Sequence, residues 1–393
     1  MNIRTQQWRA WLAGALFAIA SLACMASRPA LAAEQDARAS QPASIARDEV
    51  RRIIAENRRI VSDNGIEELK AITLGGVAQW ISVRGRDRRN PILLVLHGGP
   101  GSPTLPVAWT FQSPWEDYFT VVQWDQRGAG RTFAGNDADA QAPGMTIARM
   151  ADDAEALVRY LRAAYGKRRI FVLGHSWGSV LGVSLARRRP EWLYAYVGVG
   201  QIVDFRENER RGYAWTLERA RADGNEEAVR ELEALAPYPG EGPLTIERIG
   251  AQRRWLMHYG GLAWGRRDFQ WDADAWKLSP DYTDQAWSRI DAGGLFSLTH
   301  LLPALSDVDY RDTARFACPV FLFLGRHDQA TPSSLAADWF ATLRAPAKRL
   351  VWFAGSAHMP MQEEPGRFLL HLVRDVRPLA VRAGDAAPEE LVE

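Results

Sequence analysis

Gly174-His175-Ser176-Trp177-Gly178 sets a serine between two closely spaced glycines. Just before it, Arg169–Leu173 reads as a buried strand; just after it, Trp177–Arg189 reads as a helix closed by Pro190. A strand–turn–helix elbow of this kind holds the serine backbone under strain and lifts Oγ above the sheet edge. Glycine is needed on either side because helix and strand backbones approach closely there. The pentapeptide alone also occurs as a plain Gly-rich turn; its position between a strand and a helix is what marks Ser176 as a nucleophile.

A serine hydroxyl becomes nucleophilic only when a histidine takes its proton, and that histidine needs a carboxylate to fix its tautomer. For a serine on such an elbow the chain order is Ser, acid, His. Of the seven histidines, only His358 and His371 lie downstream of every candidate acid. His371 sits within a helical stripe beside Leu369, Leu370 and Leu372, whereas His358 ends a short loop, Gly355-Ser356-Ala357-His358, after the strand Arg349–Phe353. Ligand-facing residues collect at the carboxyl ends of such strands. His358 is therefore the expected base. The acid belongs one strand earlier, where Gly325-Arg326-His327-Asp328 follows Pro319–Leu324; Asp328 is the expected orienting carboxylate.

Acyl transfer builds negative charge on the carbonyl oxygen, and each prepositioned N–H donor contributes about 3–4 kcal/mol there. Trp177 supplies one backbone N–H. The second is expected from His97-Gly98-Gly99-Pro100-Gly101, after the strand Pro91–Leu96. Pro100 has no N–H to give, so Gly99 is the first choice and Gly98 the second.

The elements that must position these groups alternate. Ala71–Leu74 and Val77–Val83, split by Gly75-Gly76, read as a hairpin. Pro91–Leu96, Tyr118–Trp124, Arg169–Leu173 and Tyr194–Gly200 read as strands, the first two as continuous apolar runs of the kind buried on both faces. Ile147, Met150, Ala154, Leu157, Val158 and Leu161 form a helical stripe. After Gln201 the alternation stops for about a hundred residues rich in Arg, Glu and Trp, then resumes with Pro319–Leu324, a helix over Ser333–Leu343, the strand Arg349–Phe353 and a helix over Phe368–Val376. This predicts an α/β fold with a mostly parallel sheet flanked by helices, and a helical cap inserted within it. The expected divisions are an N-terminal extension with a helix over 33–65, a core over 66–202, a cap over 203–306, a second core part over 307–378 and a disordered tail over 379–393. The stripe of the extension is Val50, Ile53, Ile54, Ile60 and Val61.

Residues 1–32 read as an export signal. Arg4 and Arg9 precede the apolar Trp11–Ala23, and Ala30-Leu31-Ala32 is a small-x-small cleavage site. An uncleaved anchor helix is the alternative, although the apolar run is short for a membrane span. The expected location is the periplasm or beyond, with no stable membrane span after cleavage. Cleavage removes Arg4, Arg9 and Arg28 and no acids, taking the net charge from +1 to −2. Neither value favours nucleic acid. Of two cysteines, Cys24 leaves with the signal, and Cys318 is left as a buried small hydrophobe with no internal bridge. The sequence carries no metal- or nucleotide-binding motif, so no cofactor and no metal are expected.

Taken together, His97-Gly98-Gly99-Pro100-Gly101, Asp125-Gln126-Arg127-Gly128-Ala129-Gly130, the Ser176 elbow, Gly325-Arg326-His327-Asp328 and the late His358 resemble the proline iminopeptidase (prolyl aminopeptidase) group of the α/β-hydrolase superfamily. The likeness spans most of residues 66–202 and 315–375. It implies an α/β-hydrolase fold and an aminopeptidase that releases N-terminal proline, or another small residue, from short peptides. It also implies cap carboxylates that hold the free α-amino group, one of them typically in a Trp-Glu pair. No such pair occurs in residues 203–306. Glu207 and Glu209, with Asp204, either take that role or form a solvated face among Arg206, Arg210 and Arg211. Trp215, Trp255, Trp264, Trp271 and Trp276 either wall a pocket or fill the cap's core. Two other readings stand beside the peptidase: a carboxylesterase acting on small hydrophobic esters, and a non-catalytic binding protein of the same fold.

Overall fold

The computed structural model describes residues 45–388. The segment read as an export signal and the lead-in up to residue 44 lie outside the described residues, as do residues 389–393.

Eight strands form one sheet in the order β1-β2-β4-β3-β5-β6-β7-β8. β1 (Ile66–Leu74) and β2 (Val77–Gly85) make the expected hairpin. Gly75 and Gly76 turn it with φ of 53° and 79°, a pair of positive angles that suits the right-handed twist of the flanking strands. β2 runs antiparallel to β4 (Thr120–Asp125). From there the sheet is parallel through β3 (Ile92–Leu96), β5 (Ile170–His175), β6 (Leu193–Val199), β7 (Val320–Gly325) and β8 (Lys348–Phe353). Every residue of β3 to β7 is buried. Helices must therefore cover both faces, which is why these strands read as unbroken apolar runs.

On one face lies the helix Ile147–Ala164, started by the Thr146 side chain, which accepts from the Arg149 N–H at 3.1 Å. Met150, Ala154, Leu157, Val158 and Leu161 are its buried stripe. Beside it runs the helix Trp177–Arg188, whose close approach to β3 leaves no room for a side chain at Gly178: a Cβ there would lie 2.0 Å from the Leu96 carbonyl oxygen. The opposite face is filled by Phe171, Phe323, Phe353 and Phe368 under the C-terminal helices. Cys318 is buried and free.

Between β6 and β7 the chain builds a helical lobe: Phe205–Ala222, Glu226–Glu233, Ile246–His258, Gln270–Lys277, Asp284–Trp287 and Ile290–Leu305. The N-terminal helix Arg47–Asn57 reaches this lobe, but not through its apolar stripe. None of its residues is buried, it ends before Ile60, and Ile53 and Val61 are exposed. Its hydrogen bonds and ion pairs to the lobe are made by arginines. Arg47 pairs with Asp284 at 2.7 Å, Arg51 donates to the Tyr282 carbonyl at 2.5 Å, and Arg58, just past the helix, pairs with Asp281 at 2.8 Å.

The C-terminal tail also departs from expectation. Pro378–Val381 is helical, Asp385 accepts from Lys167 Nζ at 2.6 Å and Tyr194 Oη at 3.1 Å, and the Ala387 N–H donates to Asn90 at 3.3 Å. Disorder is thus incorrect for residues 379–388. Low hydrophobicity hid a segment fixed by one part-buried ion pair and by hydrogen bonds.

Candidate active site

Ser176 joins the end of β5 to the helix Trp177–Arg188 with φ 53° and ψ −121°, the one positive φ outside glycine among the described residues. Its N–H donates to the Val199 carbonyl at 2.9 Å and its carbonyl accepts from Ser179 at 2.8 Å. These bonds, with the strand and helix on either side, hold a conformation that costs about 1–3 kcal/mol in isolation. The Trp177 N–H, at the first position of the helix, has no intrahelical acceptor and sits at the positive end of the helix dipole. Gly98 lies against the elbow: a Cβ there would stand 3.1 Å from Ser176 Cβ.

His358 follows β8, and its Nδ1 lies 2.8 Å from Asp328 Oδ2, past the end of β7. Both side chains are buried. The carboxylate is anchored by its own turn: Oδ1 accepts from the Ala330 and Thr331 N–H groups at 2.9 and 3.0 Å, and Oδ2 from Thr331 Oγ1 at 2.9 Å. An Nδ1–H held by Asp328 leaves the other ring nitrogen, Nε2, as the proton acceptor. Thr331 Oγ1 also stands 3.3 Å from His358 Nδ1. Space for the ring comes from Gly200, where a Cβ would lie 2.6 Å from His358 Cε1. Sequence reasoning missed Thr331 and Gly200. Thr331, three residues after Asp328, carried a weak signal as an Asx-type turn partner.

Glu363 fixes the loop that carries His358. Its half-buried carboxylate accepts N–H bonds from Ala357 at 3.1 Å, from Met359 at 2.9 Å and from Trp264 of the cap at 2.5 Å. Burial raises its carboxyl above the ordinary value, and these donors pull it back in part. Glu364 adds bonds to the Gly355 N–H at 2.9 Å and Ser356 Oγ at 2.7 Å. Glu363→Ala leaves three N–H groups around the histidine unpaired. Steady-state kinetics should show kcat falling about tenfold with KM little changed, because His358 is displaced rather than removed. An unchanged kcat would mean that the loop holds without it.

The loop after β3 faces the elbow. Gly99 has φ 111°, and a Cβ there would lie 2.6 Å from the Gly101 and Ser102 nitrogens, so the turn admits only glycine. His97, neutral with its pKa pushed down to about 4 by burial, accepts from the Gln126 N–H at 3.3 Å through Nε2. Gln126 in turn donates to the His97 carbonyl at 3.1 Å and accepts from the Trp177 indole N–H at 2.9 Å. The Asp125–Gly130 segment thereby ties the glycine loop to the Ser176 elbow. This bridge was not foreseen from the sequence.

Ser176, His358, Gly98 and Gly99 open on one cavity of about 450 Å³ between core and cap. On the cap side, Glu209 and Glu207 part company. Glu209 lines the cavity, buried, with its carboxylate held by Arg253 and by Tyr238 Oη at 2.5 Å. Glu207 does not line it. It pairs with Arg210 and Arg211, each at 2.7 Å, and these guanidiniums hold its carboxyl near pKa 2. Residues two apart on a helix point about 200° apart, so only one of the two could face the substrate. The reading of Glu207 as a substrate contact is corrected. Asp204 caps the same helix, accepting from the Glu207 N–H at 3.0 Å. Asp272 and Asp291, which sequence reasoning passed over, also line the cavity, and burial raises both carboxyls. Of the five tryptophans, Trp276 lines the cavity; Trp255 is core, Trp215 is half-buried, and Trp264 and Trp271 are exposed.

Residues 91–365 match the model of the α/β-hydrolase fold family. The chain belongs to the α/β-hydrolase family. This hydrolase is 29% identical over 321 residues to "Probable aminopeptidase YbaC" of Bacillus subtilis (strain 168), a match covering 81% of this chain and 99% of that relative. It is 28% identical over 279 residues to "Putative carbamate hydrolase RutD" of Enterobacter cloacae, covering 70% of this chain and 87% of that one. A third relative, "Proline iminopeptidase" of Heyndrickxia coagulans, is 24% identical over 293 residues, covering 70% and 87% of the two chains. The likeness to aminopeptidases read from the motifs therefore extends over most of the chain.

Proposed function

We propose that this α/β-hydrolase is a serine aminopeptidase that releases N-terminal proline, or another small residue, from short peptides through an acyl-enzyme on Ser176. The observation that carries this reading is the 2.8 Å Asp328–His358 pair opening on the same cavity as the strained Ser176. Ser176 Oγ attacks the scissile carbonyl as its proton passes to His358 Nε2. The resulting oxyanion is received by the backbone N–H groups of Trp177 and Gly99. His358 then gives its proton to the departing amine, and water releases the acyl group by the same steps in reverse order. Glu209, on the cap wall, receives the substrate's α-ammonium beside Arg253. The name of the Bacillus subtilis relative supports this class of substrate.

Free and N-acetylated prolyl and alanyl arylamides test the reading. A charged hydrogen bond is worth about 1.5–3 kcal/mol, so the free amines should be cleaved at least about tenfold faster in kcat/KM. Equal rates would overturn it. Arg253 already neutralises Glu209, and this favours a second reading, a carboxylesterase acting on small hydrophobic esters. Fast turnover of short-chain nitrophenyl esters with negligible arylamide cleavage would select it.

A further inference from the structure

Asn208 sits on the cap helix Phe205–Ala222 and is 2% exposed, yet neither its Oδ1 nor its Nδ2 has a hydrogen-bond partner among the described residues. Buried polar groups of this kind are rare, and leaving one unpaired is costly. Asn208 lines the cavity that holds Ser176 and His358. Its cap neighbours there, Phe205, Ile246 and Ile249, are apolar and offer it nothing. Glu209 and Arg253, also in the lining, pair with each other rather than with Asn208. A carboxamide has a donor and an acceptor side by side and no charge. It is complementary to a neutral group that can both give and take a proton, a hydroxyl or another carboxamide.

We propose that Asn208 is a specificity residue which hydrogen-bonds an uncharged polar side chain on the residue or acyl group transferred to Ser176. This rests on the cavity being the substrate site, as in the reading above, and within the small residues of that reading it favours those with a polar side chain over proline and alanine. Asn208 and Glu209 both line the cavity, so one substrate can reach both. A pocket built to hydrogen-bond a substrate rejects the isostere lacking that group, because its own polar atoms are then left unpaired.

The test is the ratio of kcat/KM within isosteric pairs: threonyl against valyl and asparaginyl against leucyl arylamides, and nitrophenyl 3-hydroxybutyrate against 3-methylbutyrate. The polar member of each pair should be favoured about tenfold or more. In Asn208→Leu, and in Asn208→Ala should the leucine variant fail to fold, the preference should vanish through loss on the polar member. Damage to the fold lowers both members alike and leaves the ratio standing. Equal rates for the wild-type pairs, or a ratio unchanged in the variants, would overturn the proposal. Preference among the esters without arylamide cleavage would refute the peptidase reading and leave the role of Asn208 intact.

Discussion

Ser176→Ala should lower kcat by about 10⁶-fold while KM and the circular dichroism spectrum stay close to wild type. The serine's Cβ and backbone are kept, so the φ of 53° is no more strained with alanine than with serine. Only the hydroxyl is lost, and with it the covalent route. Some acceleration over water, about 10³–10⁴-fold, should survive from the N–H groups of Trp177 and Gly99 and from binding alone. A loss of tenfold or less would mean that the chemistry runs through another group.

Asp328→Asn should cost about 10⁴-fold in kcat. The substituted side chain can still accept from the Ala330 and Thr331 N–H groups, so the turn should hold. Its NH₂ group would then take the position of Oδ2, 2.8 Å from His358 Nδ1. Two donors cannot pair there, so the imidazole must present a lone pair at Nδ1 and carry its proton on Nε2, where it can no longer accept from Ser176. Steady-state kinetics beside a thermal melt would separate the effects: kcat should collapse while the melting temperature moves by only a few degrees. A large fall in stability with a modest fall in kcat would instead make Asp328 a structural residue.

The sheet and the positions of Ser176, Asp328 and His358 were legible because each depends on local pattern. Strands buried on both faces are unbroken apolar runs, and the proposed catalytic residues lie just past their ends. What the pattern could not supply was the phase of a helix whose two faces are both charged. Glu207 and Glu209 look alike in sequence, yet one faces Arg210 and Arg211 while the other faces the cavity. The contacts of Gln126 with His97 and Trp177, and of Glu363 with Trp264, join segments 29, 51 and 99 residues apart. No periodicity reports such pairings. The N-terminal helix misled for a related reason: its isoleucines suggested an apolar stripe, whereas arginines to Asp281, Tyr282 and Asp284 carry the docking.

Active-site labelling tests the central claim most directly. Treated with a fluorophosphonate, the wild-type protein should gain the mass of one phosphonyl group, and peptide mapping should place it on Ser176. Ser176→Ala should gain none. An adduct on another residue would contradict the assignment of Ser176 as nucleophile, and a wild-type protein that stays unlabelled would return the fold to a binding role.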